Sequence, residues 1–165
     1  MLHLIVLGLG SNIGNREKYI KTAIRLLSKK KNFLYIASSG IYETEPWGFK
    51  NQKNFLNCIV IFLYRSGPNE LSKEISEVEK KTGRIQREKW HSREIDIDIL
   101  FFGNKTVNRK KLIIPHPMIC FRNFVLIPLT ELMPDFIHPV LNKKIFALLN
   151  NSKDTGTVHF YKNKI

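Results

Sequence analysis

The chain has 165 residues, 43% of them hydrophobic, and 27 Lys and Arg against 14 Asp and Glu, a formal net charge of +13. That length suits one domain with a sizeable core, and the composition excludes a disordered chain. No apolar run approaches the roughly 18–20 residues of a membrane-crossing helix, and Cys58 and Cys120 stand apart in apolar surroundings, as buried free thiols of a cytoplasmic protein do.

Leu2–Leu7 reads as a buried strand that ends in a glycine-rich turn, Gly8 to Asn15. A helix follows from about Arg16 to Lys30, with Ile20, Ala23, Ile24 and Leu27 at helical spacing. Phe33–Tyr42 is a second strand, Glu43 to about Asn54 a polar and aromatic loop, and Phe55–Leu63 a third strand. Ser66-Gly67-Pro68 opens a helix with Leu71, Ile75 and Val78 on one face, and Gly83 closes it. After a charged loop comes the strand 95–102, then Gly103-Asn104 as a turn and a short partner strand near Thr106–Asn108. From Pro115 the chain is punctuated by proline, with short helical pieces at Phe121–Leu132 and Leu141–Leu149 and a polar tail from Asn150, expected to be loosely held. The order β-α-β-β-α-β is the split βαβ arrangement: an α+β sandwich with a mostly antiparallel sheet and both helices on one face.

The most informative stretch is Ile95-Asp96-Ile97-Asp98-Ile99-Leu100-Phe101-Phe102. Period-2 geometry puts Asp96 and Asp98 on one side of the strand and the three isoleucines on the other. Carboxylates on an apolar strand need partners, and in a basic protein a hard divalent cation is the natural one. Just upstream, Arg84, Arg87 and Arg93 flank Trp90 within ten positions. Guanidiniums match phosphate oxygens in a way that lysines do not, so this segment is expected to bind an anion and to close over it. Asn57 interrupts the apolar strand 55–63, and its amide suits the amide edge of a heterocycle. His116 is held between Pro115 and Pro117, six residues before Arg122. Gly8-Leu9-Gly10-Ser11-Asn12-Ile13-Gly14 fits neither the dinucleotide nor the P-loop fingerprint and reads equally as a tight turn capped by Asn12 or Asn15.

Taken in order, Thr44-Glu45-Pro46-Trp47-Gly48, Phe55-Leu56-Asn57, Gly83-Arg84, Trp90-His91-Ser92-Arg93, Asp96-Ile97-Asp98-Ile99-Leu100, Pro115-His116-Pro117 and Arg122-Asn123-Phe124-Val125-Leu126 closely resemble the 6-hydroxymethyl-7,8-dihydropterin pyrophosphokinases of folate synthesis. The resemblance runs from Gly8 to about Pro139. It implies a ferredoxin-like βαββαβ core with a C-terminal hairpin and helical additions, and transfer of pyrophosphate from ATP to the pterin hydroxymethyl oxygen with release of AMP. By the same resemblance Asp96 and Asp98 hold two Mg²⁺ ions and act in catalysis with Arg84 and Arg93. Glu79, Arg84, Arg87, Trp90, Arg93, Ile99, His116 and Arg122 are then expected at ATP. Thr44, Glu45, Trp47, Phe55, Asn57, Trp90 and Phe124 are expected at the pterin.

Two departures stand out. Many relatives carry a second arginine two positions after the first; here Gln86 stands there, and Arg87 is expected to substitute. The loop leading to Trp90 is also one residue shorter than in some members. The resemblance implies a cytoplasmic monomer working on small molecules, without nucleic acid or membrane partners. Two other classes remain open from the residues alone: a basic βαββαβ module that stacks RNA bases on its sheet, and a metal-dependent phosphodiesterase using the same aspartates.

Overall fold

The computed structural model describes residues 1–49, 51–87 and 91–163. Its elements run β1 (His3–Ser11), α1 (Arg16–Ser28), β2 (Phe33–Ser38), β3 (Ile41–Thr44), β4 (Phe55–Tyr64), α2 (Pro68–Thr82), β5 (Asp96–Phe102), β6 (Val107–Arg109), β7 (Leu112–Ile114), a 3₁₀ turn (Ile119–Phe121), α3 (Asn123–Leu132), α4 (Ile145–Asn150) and β8 (Val158–Lys162). The main sheet has the order β5-β1-β4-β3-β8, with β2 also on β4, and its named strand pairs are antiparallel. This is the mixed, mostly antiparallel βαββαβ architecture that the element order implied. Among the described residues no helix is long and apolar enough to cross a membrane.

Strand alternation divides the core in two. Ile5, Leu7 and Leu9 of β1 and Cys58, Val60 and Phe62 of β4 pack with Ile20 and Leu27 of α1 and Leu71, Ile75 and Val78 of α2. The opposite face carries Val6, Ile59, Ile61, Leu100 and Phe101, covered by Val125, Leu126 and Leu129 of α3 and Ile145 and Leu148 of α4. Both faces are therefore buried, which accounts for the near-continuous apolar run of β4. Strand β5 serves both cores through a bulge: Val6 pairs with Phe101 but Leu7 with Ile99, so Leu100 is an extra residue. Its carbonyl accepts a hydrogen bond from His116 N at 3.0 Å.

Four local features differ from the sequence expectation. Strand β1 continues through Gly8 and Gly10 to Ser11, where a turn was expected. The strand expected over 33–42 is broken at Ser39-Gly40, because Ser39 answers Ile59 twice: its N–H donates to Ile59 O and its hydroxyl accepts from Ile59 N, each at 2.9 Å. Strand β6 pairs with β7 as a hairpin, not with the aspartate strand. The polar end of the chain, expected to be loose, carries β8, which pairs with β3 along Val158–Lys162.

Glu131 of α3 ties that interrupted edge to the helix layer. Its carboxylate accepts from Gly40 N at 3.1 Å and from Tyr42 OH at 2.9 Å, and burial together with this charge pushes the Tyr42 hydroxyl up to about 12. Glu131→Ala removes the acceptor of both groups and leaves the Gly40 amide, between β2 and β3, unpaired, at about 1–2 kcal/mol. Thermal unfolding is expected to shift down by roughly 2–8 °C on that basis; an unchanged midpoint would remove Glu131 from the stabilising contacts.

Candidate active site

At one end of the second sheet face the helices α3 and α4 stop, and a cleft of about 250 Å³ opens. Its floor is made by the same alternation that fills the core elsewhere. Gly8 stands opposite Asp98 on one side, and Gly10 lies between Asp96 and Asn57. A Cβ at Gly10 would come within 2.7 Å of Asn57 Oδ1, a distance at which something must move. The glycines thus keep the floor open from inside a strand. Asn57 Nδ2 donates to Thr44 Oγ1 at 2.7 Å, which orients the amide and turns its oxygen toward Gly10.

The two carboxylates have different surroundings. Asp96 receives Arg84 Nη1 at 2.8 Å and Arg93 Nη1 at 2.5 Å. Asp98 has no ion pair or hydrogen bond among the described residues, and burial, joined by the charge of Asp96, pushes its acid up to about 7. Both are hard oxygen donors, of the kind that suits Mg²⁺. Among the described residues no group of three or more His, Cys, Asp and Glu side chains converges, so a cation on this pair would draw its remaining ligands from phosphate or water.

Positive charge surrounds the pair. Arg122 is buried, its guanidinium 4.7 Å from the Trp47 ring centroid and 5.6 Å from that of Phe124, and its Nε has no hydrogen-bond partner among the described residues. Burial lowers its pKa, against the pull of Asp98 and Asp96. Gly83, at φ 105°, closes α2: its amide donates to Lys80 O and that of Arg84 to Glu79 O, each at 3.0 Å. This turn returns Arg84 over the last helical turn, onto Glu79 and Asp96. His116 Nδ1 accepts from Met118 N at 3.2 Å. Burial, then Arg122, hold the ring at about 4, so near neutrality His116 is uncharged and its proton sits on Nε2.

Residues 6–134 match the family model of 7,8-dihydro-6-hydroxymethylpterin-pyrophosphokinase. The chain belongs to this family. It is 44% identical over 142 residues to the 2-amino-4-hydroxy-6-hydroxymethyldihydropteridine pyrophosphokinase of Aquifex aeolicus, covering 86% of this chain and 87% of that one. The pyrophosphokinase of Bacillus subtilis is 38% identical over 132 residues, 80% of this chain and 79% of that one. The folic acid synthesis protein fol1 of Pneumocystis carinii is 37% identical over 164 residues, and there the chain spans only 22% of the relative. Among solved structures, HPPK-DHPS of Plasmodium falciparum with pteroate superposes with a TM-score of 0.72 at 18% identity, over 91% of this chain and 44% of that one, a likeness of fold.

Of the residues that the family motif singled out, Asp96, Asp98, Arg93, His116, Arg122, Thr44, Glu45, Trp47, Phe55, Asn57 and Phe124 line the one cleft together. Five stand elsewhere or beyond description, among them Arg84, paired with Glu79 and Asp96 at the end of α2. Arg87 is turned to Glu94, at 2.6 and 2.9 Å, and this pairing holds the Glu94 carboxyl down at about 2. Ile99 packs against the helix-side core. Glu79 lies behind the cleft wall, accepting from Ile97 N at 2.9 Å and pairing with Arg84, and burial raises its pKa. Trp90 lies outside the described residues.

Sequence reasoning missed Asn12. The helix cap is Asn15, whose Oδ1 accepts from Lys18 N. Asn12, buried at the end of β1, instead joins the two loops beside the cleft. Its Nδ2 donates to Gln52 Oε1 at 3.0 Å and Lys53 O at 3.1 Å, and its Oδ1 accepts from Arg93 N at 2.8 Å. No sequence signal marks it, because its partners lie 40 and 81 residues away along the chain.

Asp98 makes a testable difference to stability. Its folded pKa is raised from 3.8, so its contribution is full below about pH 4 and is lost as pH rises through about 7, where the folded state must hold a poorly solvated charge. Asp98→Asn is therefore expected to raise the melting temperature of metal-free, ligand-free protein at pH 8 and to leave it nearly unchanged at pH 4. Scanning calorimetry at the two pH values checks this; equal shifts at both would remove the buried charge as the cause.

Proposed function

We propose that the cleft transfers the β,γ-pyrophosphoryl group of ATP to the hydroxymethyl oxygen of 6-hydroxymethyl-7,8-dihydropterin. As the new O–Pβ bond forms, the bond from Pβ to the α-phosphate oxygen breaks, AMP leaves, and the hydroxyl proton is lost. The observation that carries this reading is the single cleft in which an apolar, amide-bearing wall faces two same-face carboxylates ringed by arginine and histidine.

On this reading the flat pterin lies against Phe55 and Phe124, each stack contributing ~0.5–1.5 kcal/mol beyond burial. Asn57 Oδ1, turned to the cleft by its bond to Thr44, accepts from the N–H edge of the ring. Glu45 and Trp47 border the ring's entrance. Asp96 and Asp98 are the residues that would hold two Mg²⁺ ions, which supply charge neutralisation on the triphosphate and on the entering and leaving oxygens. Arg93 and Arg122 bring guanidiniums to the phosphates, and neutral His116 offers its Nε2–H as a donor that adds no charge. Arg84 reaches the same group from the end of α2. Arg87, satisfied by Glu94, is left out of the phosphate grip, and the missing second loop arginine at Gln86 is not replaced from that position. ATP and the pterin alcohol are the partners this site needs, and a monomer suffices for it.

AMP release from ATP, followed with and without the pterin alcohol, tests the reaction. Release is expected only when pterin, ATP and Mg²⁺ are all present; pterin-independent hydrolysis, or cleavage of phosphodiesters, would overturn the reading. Asp98→Ala is expected to lower transfer by at least a hundredfold while far-ultraviolet dichroism stays that of the parent. Asn57→Leu is expected to weaken pterin by about tenfold or more, the cost of a buried polar contact, with ATP affinity within twofold. Equal loss of both ligands would exclude Asn57 as a pterin-reading group.

A further inference from the structure

The last segment of the chain reaches the pterin side of the cleft from behind. Helix α3 begins at Asn123, directly between Arg122 and Phe124, the two residues that close this wall. Its N-cap position is Arg122, whose side chain has no acceptor to offer, and no local side chain caps the helix. The acceptor comes from 31 residues downstream: Asn123 N donates to Asp154 Oδ2 at 2.7 Å, and Asn123 Nδ2 donates to Asp154 O at 2.7 Å.

Asp154 is itself held in place. Its N–H donates to Ser152 Oγ at 3.2 Å and its Oδ1 accepts from Gly156 N at 3.0 Å. Two residues beyond Gly156 the chain enters β8, where Val158 pairs with Thr44 of β3, the residue whose hydroxyl orients Asn57. The segment 154–158 thus spans from the Phe124 wall to the Thr44 edge. A second recess of about 220 Å³ is lined by this segment together with Trp47 and Phe124. The carboxylate also sits where α3 presents its positive end, which favours the charged form of the cap.

We propose that Asp154 is a positioning residue for pterin: by capping α3 from the chain's far end it sets where Phe124 and Arg122 stand relative to Thr44 and Asn57. It touches neither substrate. The proposal rests on the reading of Phe124 as a pterin contact. With no local side-chain cap, Asp154 supplies the acceptor for the first amide of α3, and Phe124 is the second residue of that turn.

The test is calorimetric titration of 6-hydroxymethyl-7,8-dihydropterin into the full chain with Mg²⁺ and an uncleavable ATP analogue, alongside amide exchange at Asn123 and Phe124. Loss of a cap of ordinary strength corresponds to about fivefold in an equilibrium constant. Asp154→Ala is accordingly expected to raise the pterin Kd about fivefold or more and to speed exchange at Asn123. Asp154→Asn, which keeps an acceptor oxygen for Asn123 N, is expected to restore most of both. Pterin affinity within twofold of the parent in Asp154→Ala, or loss in Asp154→Asn equal to that in alanine, would overturn the proposal. If the parent chain binds no pterin, the reading of the cleft falls, and unchanged exchange at Asn123 in Asp154→Ala would then overturn the cap as well.

Discussion

Two carboxylates stand on an apolar strand of this sheet because the strand beside them presents no side chains at the matching positions. Gly8 and Gly10 leave the space that Asp96, Asp98 and Asn57 face, while two residues earlier Val6 meets Phe101 in a fully packed layer. One sheet face is thereby dry at one end and concave at the other. The cleft needs no separate domain; it is the part of the second core that α3 and α4 leave uncovered. The bulge at Leu100 marks the boundary, since it gives both Leu100 and Phe101 to the packed end of the face and frees a carbonyl to hold His116.

Charge is balanced unevenly around this concavity. Asp96 is answered by two guanidiniums, whereas Asp98 faces an enclosing wall and the repulsion of its neighbour. Arg122 is the complementary case: a buried cation lying on two aromatic rings, where cation–π attraction replaces a carboxylate. A buried acid with no ion pair or hydrogen bond among the described residues and a buried cation lying on aromatic rings, in one small cleft, make a site that a polyanion carrying divalent cations would complete. This arrangement also sets aside an RNA platform on the sheet. The opposite face is covered by α1 and α2, and this one by α3, α4 and the carboxylates.

Much of this was legible in the sequence, and each miss has a physical cause. Alternation alone put Asp96 and Asp98 on one face, since side-chain period in a strand leaves no choice. The ends of α2 followed from Pro68 and Gly83. Gly8 and Gly10 were taken for a turn because glycine after an apolar run ordinarily signals one; only the partner strands reveal that they continue the ladder. The break at Ser39-Gly40 depends on a hydroxyl meeting Ile59, twenty residues away in sequence, and β8 depends on an edge left free by β3. Neither contact is local, so no window of sequence carries it. Arg87 matched the expected place for a phosphate ligand by spacing, but Glu94 lies seven residues on and holds it. The hydrogen-bonding of Asn12 between two loops likewise exists only once those loops are folded together.

The central claim is that the carboxylate pair, through divalent cations, binds the nucleotide in the concavity. It is tested most directly by titrating an uncleavable ATP analogue into the parent chain and into Asp96→Asn with Asp98→Asn, over a range of Mg²⁺ concentrations. The account predicts that affinity in the parent rises steeply with Mg²⁺ and that the double variant loses this dependence while remaining folded. Nucleotide binding that is equally tight in the variant, or indifferent to Mg²⁺ in the parent, would contradict it.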